Sequence, residues 1–317
     1  MTTALITGIN GRLALLVAGL LATQPDMRVV GVDRVFSDVP IAGVEVHPSD
    51  MRGRSMCDLF SSIGADVVVH LAQFGEERSF PGREMALRGN VLTTMELLGA
   101  CVAAGVRRAV LRSSTLVYGA RHNLPLFVSE STPLRSAGSA NLQNDYVEVE
   151  RFVEGFVEKH PDLAIVVLRC ANLVGGTVSS PFARYLGQRA PSTLLGFDPL
   201  IQVLHPDDAA VAFTLAVLVQ DAAGPFNLAA EGPLTLGHAI RLAGRQPLPL
   251  PGPIFDITRL LGAARPIGEL PFDVDFLRYP CIADTERARD VLGWEPKHTA
   301  EEALRELSPA QEVAIGA

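Results

Sequence analysis

The sequence predicts an α/β protein, a doubly wound parallel sheet with a smaller C-terminal lobe. Three features carry that prediction. Short β-branched runs alternate with longer stretches of helical periodicity through the first two thirds of the chain, a glycine-containing turn joins the first run to the first helical stretch, and beyond about Gly175 the alternation weakens and proline becomes frequent. The runs at 4–7, 28–32, 67–71, 109–111 and 164–168 are continuously apolar, as strands covered on both faces require. The stretches 13–21, 82–104 and 145–158 carry apolar residues at helical spacing. Strand, helix, strand repeated in this order builds a parallel sheet with helices on both sides. Residues 1–175 are expected to form that core and 176–317 mainly a substrate-binding lobe, with segments at about 200–230 returning to the core. Six prolines fall between Pro247 and Pro271, around a short apolar helix candidate at 255–262. With no repeat and no low-complexity linker, the lobe should pack on the sheet's carboxyl edge.

The 317 residues are 48% apolar and 20% charged, enough to bury a large core and to exclude disorder as the main state. A net charge of −8 argues against nucleic acid and anionic membranes as partners, since both are bound through clustered basic residues. No apolar run has the roughly 18 residues that span a bilayer. The apolar segment 13–22 follows a glycine turn without a preceding basic stretch, unlike a secretory signal. Cys57, Cys101, Cys170 and Cys281 show no CxxC spacing and read as reduced thiols, so a cytoplasmic setting is expected. Of the 27 basic residues only Lys159 and Lys297 are lysines. Chemistry that needs a lysine before residue 159 is therefore closed to this chain.

Thr7-Gly8-Ile9-Asn10-Gly11-Arg12-Leu13-Ala14 joins the first strand to the first helix. Gly8 permits the tight turn, Gly11 lets backbone approach a pyrophosphate, and the helix start offers N–H groups and a positive dipole end. Ala14 stands where a third glycine would allow close helix packing. Asp33 ends the second strand, 22 residues after Gly11, where a carboxylate can accept hydrogen bonds from an adenosine ribose. Asp33 would repel a 2′-phosphate, whereas Arg12 and Arg34 could pair with one, so either NADH or NADPH is expected.

With these residues the sequence resembles the extended short-chain dehydrogenase/reductases, the superfamily of NAD-dependent epimerases and dehydratases. Further landmarks run along nearly the whole chain: Ser49-Asp50-Met51-Arg52, His70-Leu71-Ala72, Asn90-Val91, Ser113-Ser114-Thr115-Leu116-Val117-Tyr118-Gly119, residues 169–175, His205-Pro206-Asp207-Asp208 and Leu292-Gly293-Trp294-Glu295-Pro296-Lys297. The resemblance implies a Rossmann sheet. It places Asp50 and Met51 beside the adenine, Leu71 and Ala72 along the ribose and pyrophosphate path with Asn10, Leu13 and Ser113 also at the cofactor, and Gln73, Thr115 and Asn172 facing substrate. It also maps the residue that polarises the substrate carbonyl to Ser114 and the proton-transferring tyrosine, which also contacts cofactor, to Tyr146. A strand-end hydroxyl bonded to backbone is the other role open to Ser114, and simple packing the other role open to Tyr146.

The sequence departs from that family at two positions. The lysine four residues after the catalytic tyrosine is Glu150. A lysine there lowers the tyrosine pKa from about 10 and holds the nicotinamide ribose. A carboxylate could still accept ribose hydrogen bonds, but its charge would raise the tyrosine pKa and leave a poor base, which favours ketone reduction over reactions that begin by removing a hydroxyl proton. The second departure is Ile201, where nucleotide-sugar enzymes commonly carry a phosphate-gripping arginine four residues before the histidine; Arg184, Arg189 and Arg265 remain available to grip phosphate instead. The expected activity is an NAD(P)H-dependent ketoreductase acting on a bulky, largely apolar small molecule, similar to the tailoring reductases of aromatic polyketide antibiotic pathways such as angucyclinone ketoreductases. A nucleotide-sugar epimerase or dehydratase and a non-catalytic dinucleotide-binding redox sensor are the alternatives. His205, Asp207 and Asp208 read as a landmark in which Asp208 caps a helix beginning near Ala209, and no metal is expected. Asn90 is expected to brace the loop near the active site. Helices 82–104 and 145–158 are amphipathic enough for a homodimer or a monomer.

Overall fold

The computed structural model describes residues 1–34, 41–49, 54–72, 83–137, 142–176, 178–255 and 270–308. The core alternates strand and helix: β1 (Thr2–Thr7), α1 (Arg12–Ala22), β2 (Met27–Asp33), β3 (Val44–Pro48), α2 (Arg54–Ile63), β4 (Val67–His70), α3 (Arg83–Ala103), β5 (Arg108–Ser114), α4 (Leu142–Val157) and β6 (Ala164–Cys170). Short strands follow, β7 (Asn172–Leu173), β8 (Ser192–Leu194), β9 (Leu200–Ile201) and β10 (Val203–Leu204), with α5 (Pro181–Leu186) between β7 and β8. Then come α6 (Pro206–Leu218) and β11 (Gly224–Leu228). Seven strands form one sheet in the order β11-β6-β5-β4-β1-β2-β3, and every neighbouring pair is parallel. This is the doubly wound sheet that the alternation predicts. Winding reverses at β1, so the carboxyl ends of β1, β4 and β5 open a crevice, the place where such sheets bind ligands.

Each face of the sheet has its own core. On one side Val17 and Leu21 of α1 meet Phe213 of α6 and the buried Trp294. On the other, Met56, Phe60, Leu97, Leu98 and Val153 from α2, α3 and α4 cover Leu5, Val68 and Ala109. Buried apolar residues between Leu204 and Ala229, Phe213, Phe226 and Leu228 among them, belong to the first of these cores. A third cluster, built around Phe182, Tyr185, Ile201, Ile240, Phe255, Phe272 and Leu277, lies beyond the sheet in the C-terminal part. The apolar helix candidate at 255–262 lies outside the described residues after Phe255.

Two buried polar devices fix α6. Its carboxyl end is capped by Arg108, 7% exposed, whose guanidinium donates to the carbonyls of Ala216 and Val219 at 2.8 Å, of Ala222 at 3.2 Å, and of Gln220. A cation there satisfies carbonyls that the helix leaves open and opposes the negative end of its dipole. Its amino end is capped by His205, whose Nδ1 accepts from the Asp207 amide at 3.2 Å. Asp208 is thus not the expected cap. Its carboxylate accepts instead from the backbone amides of Lys297 and His298, at 3.0 and 2.9 Å, while its own carbonyl receives the Trp294 indole N–H at 2.9 Å. The two landmarks His205-Pro206-Asp207-Asp208 and Leu292-Gly293-Trp294-Glu295-Pro296-Lys297 are one joint.

Among the described residues, no helix is long and apolar enough to cross a membrane. All four cysteines are free.

Candidate active site

The glycine turn has the form a dinucleotide needs. Gly8 has φ +72° and a Cβ on it would stand 2.7 Å from the Ala72 Cα, so both conformation and space require glycine. A Cβ on Gly31 would meet the Ile9 side chain at 2.4 Å, which lets the turn lie flat on β2. Gly11 is the α1 N-cap and supplies no side-chain cap, leaving first-turn amides open toward the crevice. The Asp33 carboxylate accepts from the amides of Asn10 at 3.2 Å and Arg34 at 2.7 Å, which sets it against the turn while it remains partly exposed. Arg12, Asn10 and Arg34 are exposed around this mouth. These residues fit a nicotinamide dinucleotide. Leu13 and Leu71 bury their side chains in the core, so only their backbones can face a cofactor. Asp50, Met51, Gln73 and Arg265 lie outside the described residues.

Deeper in the crevice, β4 ends in His70. Its Nδ1 lies 2.7 Å from the Thr7 hydroxyl, which also accepts from the Ala72 amide at 3.3 Å. Burial lowers the His70 pKa to about 4 from its ordinary 6.5, so the imidazole is neutral at physiological pH and its Nδ1 ties the end of β4 to β1 through Thr7. Asn90 on α3 donates to the buried Asp145 carboxylate at 2.8 Å, bracing the start of α4 one residue before Tyr146.

Ser114 ends β5 and caps a 3-10 turn, Thr115–Tyr118, by accepting from the Leu116 amide at 3.3 Å. Bonding backbone does not close the site role to it, since the residue also borders a cleft with Tyr146, Asn172 and Phe182. Tyr146 is 6% exposed and borders this cleft and a second cavity of about 380 Å³ toward His70, Ala72 and Asn90. Asn172 donates to the Gln202 carbonyl at 3.2 Å and borders the cleft together with a third cavity of about 380 Å³. Thr115 borders that third cavity, whose wall sets the apolar and aromatic side chains Leu200, Ile201, Phe272, Phe276 and Tyr279 beside the polar Asn172 and Gln202.

Glu150 is not where the spacing places it. Instead of facing a cofactor ribose, it is 4% exposed beneath the cleft and bound to Arg169, itself 3% exposed, by Nη2 at 2.5 Å and Nε at 2.9 Å. The Ser113 hydroxyl also donates to it, while Ser113, expected at the cofactor, borders the cleft as well. Arg169 donates further to the Tyr118 hydroxyl at 2.8 Å, and that hydroxyl donates to Asn227 at 2.6 Å. Burial holds the Tyr118 phenol up at about 12. The Glu150 charge is answered locally by a guanidinium, so it does not stand as a lone anion beside Tyr146. The network Ser113–Glu150–Arg169–Tyr118–Asn227 ties β5, α4, β6, the 3-10 turn and β11 under the two candidate catalytic residues. Sequence reading misses Arg169 as the partner because 19 positions separate it from Glu150 and no local pattern links a helix to the next strand's end.

His205, Asp207 and His298 stand close enough to hold a metal, with the two imidazoles stacked at 3.9 Å. Both histidines already serve the structure. His205 caps α6 and meets Glu306 at 3.2 Å, and His298 Nδ1 meets Asp208 at 3.1 Å.

Comparison with known proteins follows the same lines. A family profile described as the NAD dependent epimerase/dehydratase family matches residues 4–229. An uncharacterized protein of Mycobacterium tuberculosis is 33% identical over 309 residues, covering 95% of this chain and 81% of that protein. A UDP-glucose 4-epimerase of Azospirillum brasilense is 26% identical over 310 residues, covering 90% and 83%. Among solved structures, the UDP-glucose 4-epimerase of Bifidobacterium longum in complex with NAD+ and UDP superposes over the full length of both chains with a TM-score of 0.74 at 20% identity. A dTDP-glucose 4,6-dehydratase of Bacillus anthracis in complex with NAD does so over 99% of this chain and 97% of its own, with a TM-score of 0.72 at 17% identity.

Proposed function

From the premise that this chain belongs to the NAD-dependent epimerase/dehydratase family, whose enzymes work through a nicotinamide dinucleotide, we propose that it is a ketoreductase. Its substrate would be a bulky, largely apolar ketone. The observation that carries this reading is the third cavity, where Ile201, Phe272, Phe276 and Tyr279 stand and no Lys or Arg borders the space among the described residues. The aromatic side chains of this wall suit a fused-ring or aromatic molecule, Thr115, Asn172 and Gln202 offer hydrogen bonds to its oxygens, and a sugar-nucleotide diphosphate would find no counter-charge there to offset its desolvation.

The dinucleotide, held by the glycine turn and Asp33, supplies a hydride when bound. The chain's own residues do the remainder. Ser114 offers its hydroxyl proton to the substrate carbonyl oxygen. Tyr146, which borders the first two cavities, gives its phenol proton to the oxygen that gains negative charge. The buried network under β5 and α4 keeps the two hydroxyls in register. Arg169 compensates the Glu150 charge, so it is the apolar substrate wall, and not that carboxylate, that favours a reductase. An aromatic polyketide intermediate fits that wall, and Asp33 favours NADH over NADPH.

A nucleotide-sugar epimerase is the second reading, favoured by the likeness to the Azospirillum enzyme along 90% of this chain. One pair of measurements separates them. With NADH present, a panel of polycyclic ketones should produce loss of the reduced-nicotinamide absorbance, and calorimetry with UDP-glucose should give no heat of binding. Stable absorbance with every ketone, together with tight UDP-glucose binding, would reverse the assignment.

A further inference from the structure

Thr7 and His70 end neighbouring parallel strands as register partners, and the pair fixes where one proton sits. Thr7 is wholly buried, so its hydroxyl proton needs an acceptor inside the protein. Its oxygen already accepts from the Ala72 amide at 3.3 Å, and among the described residues the acceptor within its reach is His70 Nδ1 at 2.7 Å. Thr7 therefore donates to Nδ1. A ring that accepts at Nδ1 and is neutral through burial carries its proton on Nε2.

The two nitrogens lie on opposite sides of an imidazole. With Nδ1 turned to β1, Nε2–H is turned away from it, to the side where β5 lies next to β4 in the sheet. The second cavity opens there, between His70, Leu111 of β5, Asn90 and Thr94 of α3, and Tyr146 and Val149 of α4. On α3 the polar groups bond within the protein, Thr94 donating to the Asn90 carbonyl at 2.8 Å and the Asn90 amide to Asp145. His70 is 7% exposed, and among the described residues no protein atom accepts from its Nε2. A donor so deeply placed is costly to leave without an acceptor, which marks a place for a ligand oxygen.

The order of the spaces along the crevice indicates which oxygen. Ala72, against which Gly8 packs, borders the second cavity, Tyr146 borders that cavity and the cleft, and Leu116 and Asn172 border the cleft and the third cavity. A dinucleotide has the covalent order adenosine, pyrophosphate, ribose, nicotinamide. With its pyrophosphate on the glycine turn and its reactive ring at the cleft beside Ser114 and Tyr146, the ribose between them falls to the second cavity. We propose that His70 is a cofactor-binding residue whose Nε2–H holds a hydroxyl oxygen of the nicotinamide ribose. A neutral N–H then does from β4 what an ammonium on α4 cannot do in a chain without a lysine before Lys159. The contact belongs to the cofactor and not to the ketone, so it holds for either reading of the substrate.

Binding to the full chain tests this without turnover. ADP, which ends at the pyrophosphate, and ADP-ribose, which adds the second ribose, are titrated calorimetrically into wild type, His70→Phe and His70→Gln. His70→Phe should weaken ADP-ribose at least ~10-fold while leaving ADP within about 2-fold, and His70→Gln, whose amide still donates, should recover most of that loss. A folded His70→Phe protein that binds ADP-ribose like wild type overturns the proposal, as do equal losses for both ligands or a wild type that gains nothing from ADP to ADP-ribose. Should neither variant fold, the wild type decides by nuclear magnetic resonance of its nitrogen-labelled histidines. The sequentially assigned His70 ring should carry its proton on Nε2 and shift with ADP-ribose but not with ADP. A proton on Nδ1, or a His70 signal indifferent to saturating ADP-ribose, overturns the assignment. Failure of every ketone would end the reductase reading and leave these results untouched.

Discussion

The exchange of a lysine for Glu150 changes what a single α4 position is for. In this chain it belongs to the interior, where Glu150 and Arg169 are each nearly inaccessible and bound to one another. Taking two charges out of water is costly, and the pair offsets that cost only while both members are present. Glu150→Gln leaves the guanidinium buried without its counter-ion and should lower unfolding free energy by about 3–5 kcal/mol in urea titrations. Reinstating the family's lysine, Glu150→Lys, sets two cations together and should cost at least as much. The double variant Glu150→Leu with Arg169→Met should lose markedly less than the sum of the single losses; additivity would mean the two residues do not act as a pair.

At the scale of elements, much of the sheet is legible. β1, β2, β4, β5 and β6 are short, apolar and β-branched, and each stands within two residues of its expected bounds at the start and three at the end. β11 is not legible, because Gly224-Pro225-Phe226-Asn227-Leu228 begins with a turn dipeptide and carries a fully buried asparagine in its middle. That asparagine is there for the network: it bonds Tyr118 and the carbonyls of Val128 and Asp284. The glycine turn and the Ser114–Tyr146 neighbourhood can be read from spacing, since consecutive strand ends bring them to one edge. The partners of Glu150 and Asp208 cannot, because side-chain pairing between distant segments leaves no periodic trace. Arg108 is another such case. Arg108→Met should strand the carbonyls at the end of α6 and reduce stability by roughly 2–4 kcal/mol, read as a lower urea midpoint with an unchanged slope. A variant as stable as wild type would show that water replaces the guanidinium there.

For the whole molecule, the crevice at the carboxyl edge joins both faces of the sheet to the C-terminal cluster, so ligand binding should be felt globally. At a hundredfold excess over its dissociation constant, NADH should add about 2.7 kcal/mol to the folded state and raise Tm accordingly. Gly8→Ala should abolish that rise, since its new methyl group meets the Ala72 backbone at 2.7 Å and its φ is positive. A Gly8→Ala protein that still gains stability from NADH would place the dinucleotide elsewhere. The Asp208 joint has a different consequence, one of timing. The sheet face under α6 is completed by Trp294, and the amides that Asp208 holds are those of residues 297 and 298, nearly ninety positions later. While these residues are still inside the ribosomal tunnel, a strip of the nascent domain faces solvent or a chaperone with its apolar side bare. The face under α6 is therefore left open to misassembly in the interval between the emergence of α6 and the docking of a single tryptophan.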